Sequence, residues 1–453
     1  MPANSNKVSG PEFSVQPFRA DGTFRLPLDM TPGRYRPRSA YHRPKLSENV
    51  IEALKRRELP DEKGWDRGRE LALIGDELSD DYAVLYPKLG HEKARKLLDD
   101  ALENGIDSVP DAPPELKALF AQVDHVPEWV DWDRVERGAA TMRRYAPISW
   151  MFARLAFAQT YVNAHAGMPL YMTGSLGMET AARRLRETDR WRLGIQQPGA
   201  LRRQGDGFKT IVRVRVLHSI VRYHLLMSGQ WDCSKLGMPI PQLDMAGANL
   251  GMMMTHSYLL AVLGIFMTPS EIKDVIHFWR YHGYLVGTID ELNPKSEKDL
   301  ARINTLIGVT MRGALDPRAR VLTNSTMNVL LRTGTSAYGS LLDYVDIRVS
   351  HALYLVLNGP KVYDYMRLGT EKRWLWLLPT MFPGVFALDT LRRLVPGANS
   401  FLADYGRKYI DSIMEIDEVK NAPFRPYPHR NETRSNGAHP GGMMGRDPTT
   451  AAS

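Results

Sequence analysis

Along most of this chain apolar residues recur at intervals of three and four, the spacing of one helix face rather than the alternation of a strand. The pattern predicts helices over 91–105 ("HEKARKLLDDALENG", with a terminal glycine), 110–123 ("PDAPPELKALFAQV", with a proline-rich start) and Trp132 to about Asn163, interrupted at Pro147. Further helical patterns fall at 175–191, 210–226, 242–267, 270–287, 296–314, 335–358 and 396–414, and Ser47 is a plausible N-cap for "ENVIEALKRRE". No sustained strand pattern with regularly spaced turn signals is present, and no internal repeat. The fold class expected is all-α, as one large helical domain over 46–415. An extended Pro-, Arg- and Gly-rich arm precedes it (1–45), and a disordered Pro/Gly/polar tail follows (416–453).

One helical stretch breaks its own pattern. "TIVRVRVLHSIVRYHLL" (210–226) is mostly apolar yet carries Arg213, Arg215, His218, Arg222 and His224. Arg215, His218 and Arg222 lie three and four apart, on one face of a helix of about five turns. Val214, Leu217, Val221 and Leu225 follow the same rhythm beside them. Burial disfavours charged guanidinium groups, so such a face needs anionic partners that the local sequence lacks. A haem is one such partner, with iron for the imidazole and propionates for the guanidiniums. Taken alone, the run is better accounted for by a basic stripe facing solvent, or one paired with carboxylates from another helix.

Composition narrows the classes. The chain has 453 residues, 43% hydrophobic and 24% charged, enough for a large core and unlike a disordered protein. Its formal charge of +8 is spread along the chain, without the block of basic and aromatic residues that a nucleic-acid groove uses. A single cysteine, Cys233, excludes an internal disulfide, a zinc ribbon and a cysteine-ligated cluster. The N-terminus has no apolar export segment and no run reaches ~18 uninterrupted apolar residues, so a cytoplasmic protein without a membrane span is expected. "WLWLLPTMFPGVFAL" (374–388) is short, contains Pro379 and Pro383, and is flanked by Lys372, Arg373, Arg392 and Arg393. It reads as a core helix, with peripheral contact to a bilayer as the alternative.

Several chemistries lack their residues. Asp274 and His277 form one Asp-x-x-His, but a di-iron bundle needs Glu-x-x-His twice and two more glutamates. No HExxH, G-x-S-x-G, P-loop or strand-linked GxGxxG is present. His165, His256 and His282 lie in apolar helical contexts and read as hydrogen-bonded core residues. Upstream of His218, "METAARRLRETDRW" places Glu179, Arg183, Arg184, Glu187 and Thr188 on one amphipathic helix. The i,i+4 pairs Glu179–Arg183 and Arg183–Glu187 suit a solvated face. The functional alternative has this helix facing His218 across a pocket, presenting a base, a guanidinium and a hydroxyl.

These residues carry a resemblance. "RVLHSIVRYHLL", with Arg215, His218 and Arg222, resembles the signature helix of the latex-clearing (rubber oxygenase) and MpaB family of b-type haem oxygenases. "RLRET" resembles the family's distal segment, and "FWRYHGYLVGTIDELNP" (278–294) a recurring stretch after the haem helix. The similarity runs over about 130–370, concentrated in these three segments. It implies a globin-like core with extra helices holding haem b. His218 would be the proximal iron ligand, with Arg215 and Arg222 orienting it and supporting the haem. Arg184 and Thr188 match the distal Arg and Thr.

The sequence departs from the family at Glu187, where latex-clearing members have a lysine able to ligate iron. Neither a lysine-closed iron nor polyisoprene as substrate therefore carries over. The resemblance implies an O2-using oxygenase for a lipophilic substrate, isoprenoids among the candidates, with Glu179 or Glu187 as the carboxylate that takes an allylic proton. The alternatives are a non-catalytic haem sensor or carrier of the same fold, and a haem-free helical interaction protein.

Overall fold

The structure, a computed structural model, describes residues 18–19, 22–49, 58–162, 164–173, 181–311, 316–331, 338–369 and 372–414. The predicted start of the first helix after Ser47, Glu179, and the tail beyond Met414 lie outside them. Described residues form helices connected by short turns, and β-structure among them amounts to two isolated bridges, Phe18 with Phe24 and Tyr35 with Met311.

The first half contributes α1 (Glu62–Leu71), α2 (Glu77–Ala83), α3 (His91–Asn104), α4 (Pro114–Val123), α5 (Trp132–Arg143), α6 (Ser149–Val162) and α7 (Ala164–Met172). Then come α8 (Ala181–Gly194), α9 (Asp206–Met227), α10 (Gln242–Met254) and α11 (Pro269–Leu285). The chain closes with α12 (Glu297–Thr310), α13 (Pro317–Met327), α14 (Gly339–Tyr365), α15 (Leu377–Leu394) and α16 (Ala398–Met414). The expected break at Pro147 separates α5 from α6. The 242–267 pattern is one helix only as far as Met254, where a π-helical turn, Thr255–Leu259, re-aims the segment.

The most extensive helix contact among the described residues joins α5 and α11. Gly138 makes it close: a Cβ there would run into the backbone of Asp274. α11 starts firmly, because Thr268 and Glu271 form a reciprocal capping box that satisfies two free N–H groups and contributes about 0.5–2 kcal/mol. Its inner face buries Phe278, Trp279 and Tyr281. Asp274 and His277 serve this packing, Asp274 with Arg134 and Arg137, and His277 accepting from the Asp131 N–H. α9 runs between α2, α3, α8 and α11. The N-terminal arm is packed down: Phe24 and Leu26 are buried, and Arg34 reaches Asp244 of α10.

One expectation is overturned. The 374–388 stretch is not a core helix: α15 continues to Leu394, and only 11% of the most apolar window of Trp374–Leu394 is buried. Trp374–Leu394 is long and apolar enough to cross a membrane, by length and composition alone. Pro379 falls in the first turn, where its missing N–H is harmless, so it opens the helix instead of breaking it. Apolar content reports what a helix face would bury, not whether the protein supplies the cover.

The buried histidines make stability pH-dependent. Burial holds His256, His277 and His351 at about 4 and His282 at about 3, all below the ordinary 6.5. The unfolded chain therefore takes protons below pH 6.5 that the folded one refuses until about pH 4. Stability is full above 6.5 and falls as pH drops through that window, by about 1.4 kcal/mol per pH unit for each histidine. Asp80 opposes this in part, since its raised pKa makes the folded state take a proton first. Melting temperature should be flat from pH 8 to 7 and fall steeply from 6.5 to 4; a flat profile throughout would show these imidazoles are not buried neutral.

Candidate functional site

The arginines of α9 find partners that lie far off in sequence. Arg215 makes a two-pronged pair with Asp76, Nε to Oδ2 at 2.6 Å and Nη2 to Oδ1 at 2.9 Å, and also donates to Gln122 Oε1 and the Leu285 carbonyl. Arg222 pairs with Asp80 and donates to Ser219 Oγ (3.1 Å), the Pro239 carbonyl (2.8 Å) and the Ile240 carbonyl (2.7 Å). Asp76 caps α2 by position and Asp80 lies one turn on, accepting from the Asp76 N–H at 3.1 Å. All four charged side chains are buried. Buried charges persist only when paired and hydrogen-bonded, and here nearly every guanidinium N–H is spent on protein.

This settles where the anionic partners come from. Propionates are not needed to neutralise Arg215 and Arg222, because α2 does so. Room for the pairs comes from two glycines. A Cβ at Gly75 would meet Asp80 and Arg222, and one at Gly287 (φ +87°) would meet Asp76 and Arg215. Ile240 is held at φ +48°, strained for a β-branched residue, with its carbonyl tied to Arg222.

His218 lies between these pairs along α9 but is not consumed by them. Its Nδ1 is buried without a hydrogen-bond partner. Burial, then the charge of Arg222, and further that of Arg184, push the imidazole down to about 4 against the pull of Asp76, so the ring is neutral at pH 7. The residue nevertheless stays partly accessible, as do Val214 and Val221, whereas Arg215, Ser219 and Arg222 are buried.

On α8, Glu187 accepts from Arg183 Nε (2.8 Å) and Arg184 Nη1 (2.9 Å), so both its oxygens are engaged. Thr188 Oγ1 donates to the Arg184 carbonyl at 3.0 Å. α8 packs on α9, and the charge of Arg184 is felt at His218. The structure thus brings Arg184 within electrostatic reach of His218, with Glu187 and Thr188 bonded to Arg184 on the same helix, while Glu179 lies outside the described residues.

Two groups not assigned to a site from sequence join the cluster. His282 of α11 has Nδ1 against Asn249 Oδ1 (3.0 Å), and Asn249 donates to the Trp279 carbonyl (3.1 Å). This places the proton on Nδ1 and leaves Nε2 a lone pair, buried without a partner. Burial, then the neighbouring His218, lowers it to about 3. Trp191 packs edge-on to His282 at 5.2 Å, and its Nε1–H is also buried and unpaired. His256 instead turns Nδ1 to the Met252 carbonyl of its own helix. The signal for His282 was its place in the 278–294 stretch; nothing local distinguished its ring from a core histidine. A surface depression of about 300 Å³ beside Ile106, Val109 and Lys117 holds none of these residues.

Residues 142–388 match the family model described as "ER-bound oxygenase mpaB/B'/Rubber oxygenase, catalytic domain", over half of the chain. The chain belongs to this family. Within the MpaB/rubber oxygenase family, a rubber oxygenase from Streptomyces sp. (strain K30) is 22% identical over 208 residues, 43% of this chain and 47% of that protein. The chain thus spans about half the length of the curated relative it matches. The structure of latex clearing protein LCP in the closed state is similar in fold, with a TM-score of 0.56 at 19% identity, over 75% of this chain and 91% of that one. The segment matched by the MpaB/rubber oxygenase model contains α8, α9 and α11, and so His218, Arg184 and His282.

The chemistry of His218 is compatible with holding a haem iron. A neutral imidazole with no hydrogen-bond commitment is a ready iron ligand, and three unpaired buried nitrogens, on His218, His282 and Trp191, call for a polar group among them. No three His, Cys, Asp or Glu side chains converge among the described residues, so a metal held by protein ligands alone has no ligand set there.

Proposed function

We propose that this protein is a haem b-dependent oxygenase acting with O2 on a lipophilic substrate, isoprenoids among the candidates. The observation that carries the reading is His218: a neutral, uncommitted imidazole on a clamped helix, inside the segment that the family model matches, where the sequence resemblance suggests the haem ligand. His218 would hold the iron, and the bound haem would supply oxygen activation. The globin-like arrangement around the haem that the resemblance implies is part of the same proposal.

The remaining residues act through position and charge. Arg215 and Arg222, fixed by Asp76 and Asp80, set the angle and height of the His218 helix against the pocket, and support the haem through that geometry. Arg184 and Arg183 neutralise Glu187, which lets a carboxylate stand beside an apolar substrate without an unpaired charge. Because both Glu187 oxygens are already bonded, taking a substrate proton there competes with a guanidinium bond; Glu179 is the other candidate acceptor. Thr188 keeps oxygen lone pairs for a donor, since its proton is used on Arg184.

The test is spectroscopic and functional. Purified protein should show a Soret band at stoichiometric haem and consume oxygen with a lipophilic alkene. A chain that binds no haem overturns the reading, and haem binding without consumption leaves a sensor or carrier. With Glu187 held by two arginines and no lysine in its place, the ferric iron should be high-spin and bind imidazole readily. Glu187→Lys should shift it towards a low-spin form that binds imidazole more slowly. A wild-type low-spin spectrum indifferent to imidazole would show another side chain on the iron, with the free lone pair of His282 the first to test.

A further inference from the structure

The outer face of α15 is apolar and exposed over its whole length. Trp376 just ahead of it is 74% exposed, Leu388 69%, Leu391 54% and Leu394 73%, and Phe401 at the start of α16 is 70%. Contiguous exposed apolar area of this kind marks an interaction site rather than ordinary surface.

The helix is not loosely attached. On its inner side Asp389 accepts from the Phe266 N–H (3.2 Å), Arg392 Nε (3.0 Å) and Arg393 Nη2 (2.8 Å). Arg392 lies 3.7 Å from Glu271, the capping residue of α11, which also binds Arg144 at 2.6 Å. Phe382 and Phe386 pack on Phe266 at 6.2 and 5.8 Å. A buried polar network therefore holds one side of α15 to the body and fixes the other side outward.

Charge selects the occupant. Residues 372–414 hold six basic against three acidic side chains: Lys372 and Arg373 lead into the helix, Arg393 closes it, and Lys408 follows on α16. The chain as a whole carries +8. An anionic lipid surface complements that charge, whereas two copies of this chain would bring like charge together. Trp376 and Tyr405, half or more exposed beside the apolar stripe, are residue types that settle at the headgroup level. Phe382 and Phe386 hold the middle of the helix against Phe266, and Asp389 and Arg392 hold its C-terminal part, so it suits lying on a bilayer rather than crossing it.

We propose that α15 with the start of α16 is a docking surface for an anionic bilayer. The apolar stripe enters the acyl boundary and Arg393, exposed at its C-terminal end, meets the headgroups. This holds or fails independently of the haem reading.

The test is co-sedimentation of the full chain with vesicles of phosphatidylcholine alone and with phosphatidylserine added. Most of the protein should pellet with the anionic vesicles, several-fold less with neutral ones, and less again at high salt. Leu388→Glu/Leu391→Glu should lose at least ten-fold in binding at an unchanged melting temperature; Leu394→Glu alone gives a milder version should the double variant misfold. Failure of the wild type to pellet with either vesicle, or full binding by the variants, overturns the proposal. Equal binding to neutral vesicles overturns the role of charge. A wild-type dimer in sedimentation velocity that the same substitutions convert to monomer would make the face a contact between copies instead.

Discussion

His218→Ala protein should purify folded, with helix content unchanged, and without haem. The loss is expected because the other imidazole of α9, His224, stacks on His91 and packs on Tyr223 instead. The fold should survive because the ion pairs on either side of residue 218 do not involve the imidazole. Free imidazole added to the variant should restore a Soret band by occupying the space the side chain leaves. Stoichiometric haem with an unchanged spectrum in His218→Ala would defeat the assignment. His282→Ala is the control, since its Nε2 is the other unpaired imidazole nitrogen in the cluster, whereas His256 has turned to its own backbone.

The second large effect is expected at Asp80. Asp80→Ala leaves the Arg222 guanidinium, wholly buried, without its carboxylate, and breaking one side of such a pair costs about 3–5 kcal/mol. Burial pushes the Asp80 carboxyl up to about 6, with Asp76 adding to the rise and Arg222 resisting it. Removing both partners together leaves neither charge buried and unpaired. Arg222→Met/Asp80→Ala should accordingly be less damaged than the sum of the single variants, as a double-mutant cycle in urea would measure. Haem occupancy of Asp80→Ala should fall with stability, since α9 loses one of its two fixings. An Asp80→Ala variant within about 1 kcal/mol of wild type would mean that Arg222 rests on its carbonyl partners alone.

The helices were legible where their residues interact locally. The 91–105, 110–123, 270–287 and 396–414 patterns each became a helix of nearly those bounds, because i,i+3 and i,i+4 spacing is itself a local statement. The His218 helix was legible for the same reason, and so was the demand of its arginines for negative charge. The source of that charge was not. Asp76 and Asp80 lie 139 and 142 residues away from their partners, in a helix of seven residues too short to announce itself by periodicity. Gly75 and Gly287 are the only local trace, and a glycine's need for space shows only once its neighbours are known. On α15 the pattern was clear and its meaning was not, since a face that packs on protein and one that packs on lipid use the same residues.

The clamp on α9 also bears on how the holoprotein is made. Because Asp76 and Asp80 already balance Arg215 and Arg222, the haem-free chain carries no unneutralised charge on this helix that only a porphyrin could quench. Its biosynthesis can therefore run in two stages, with the polypeptide maturing first and the prosthetic group inserted afterwards. Cells starved of haem should accumulate a folded receptor for it, and supplementing their lysate should be enough to load it.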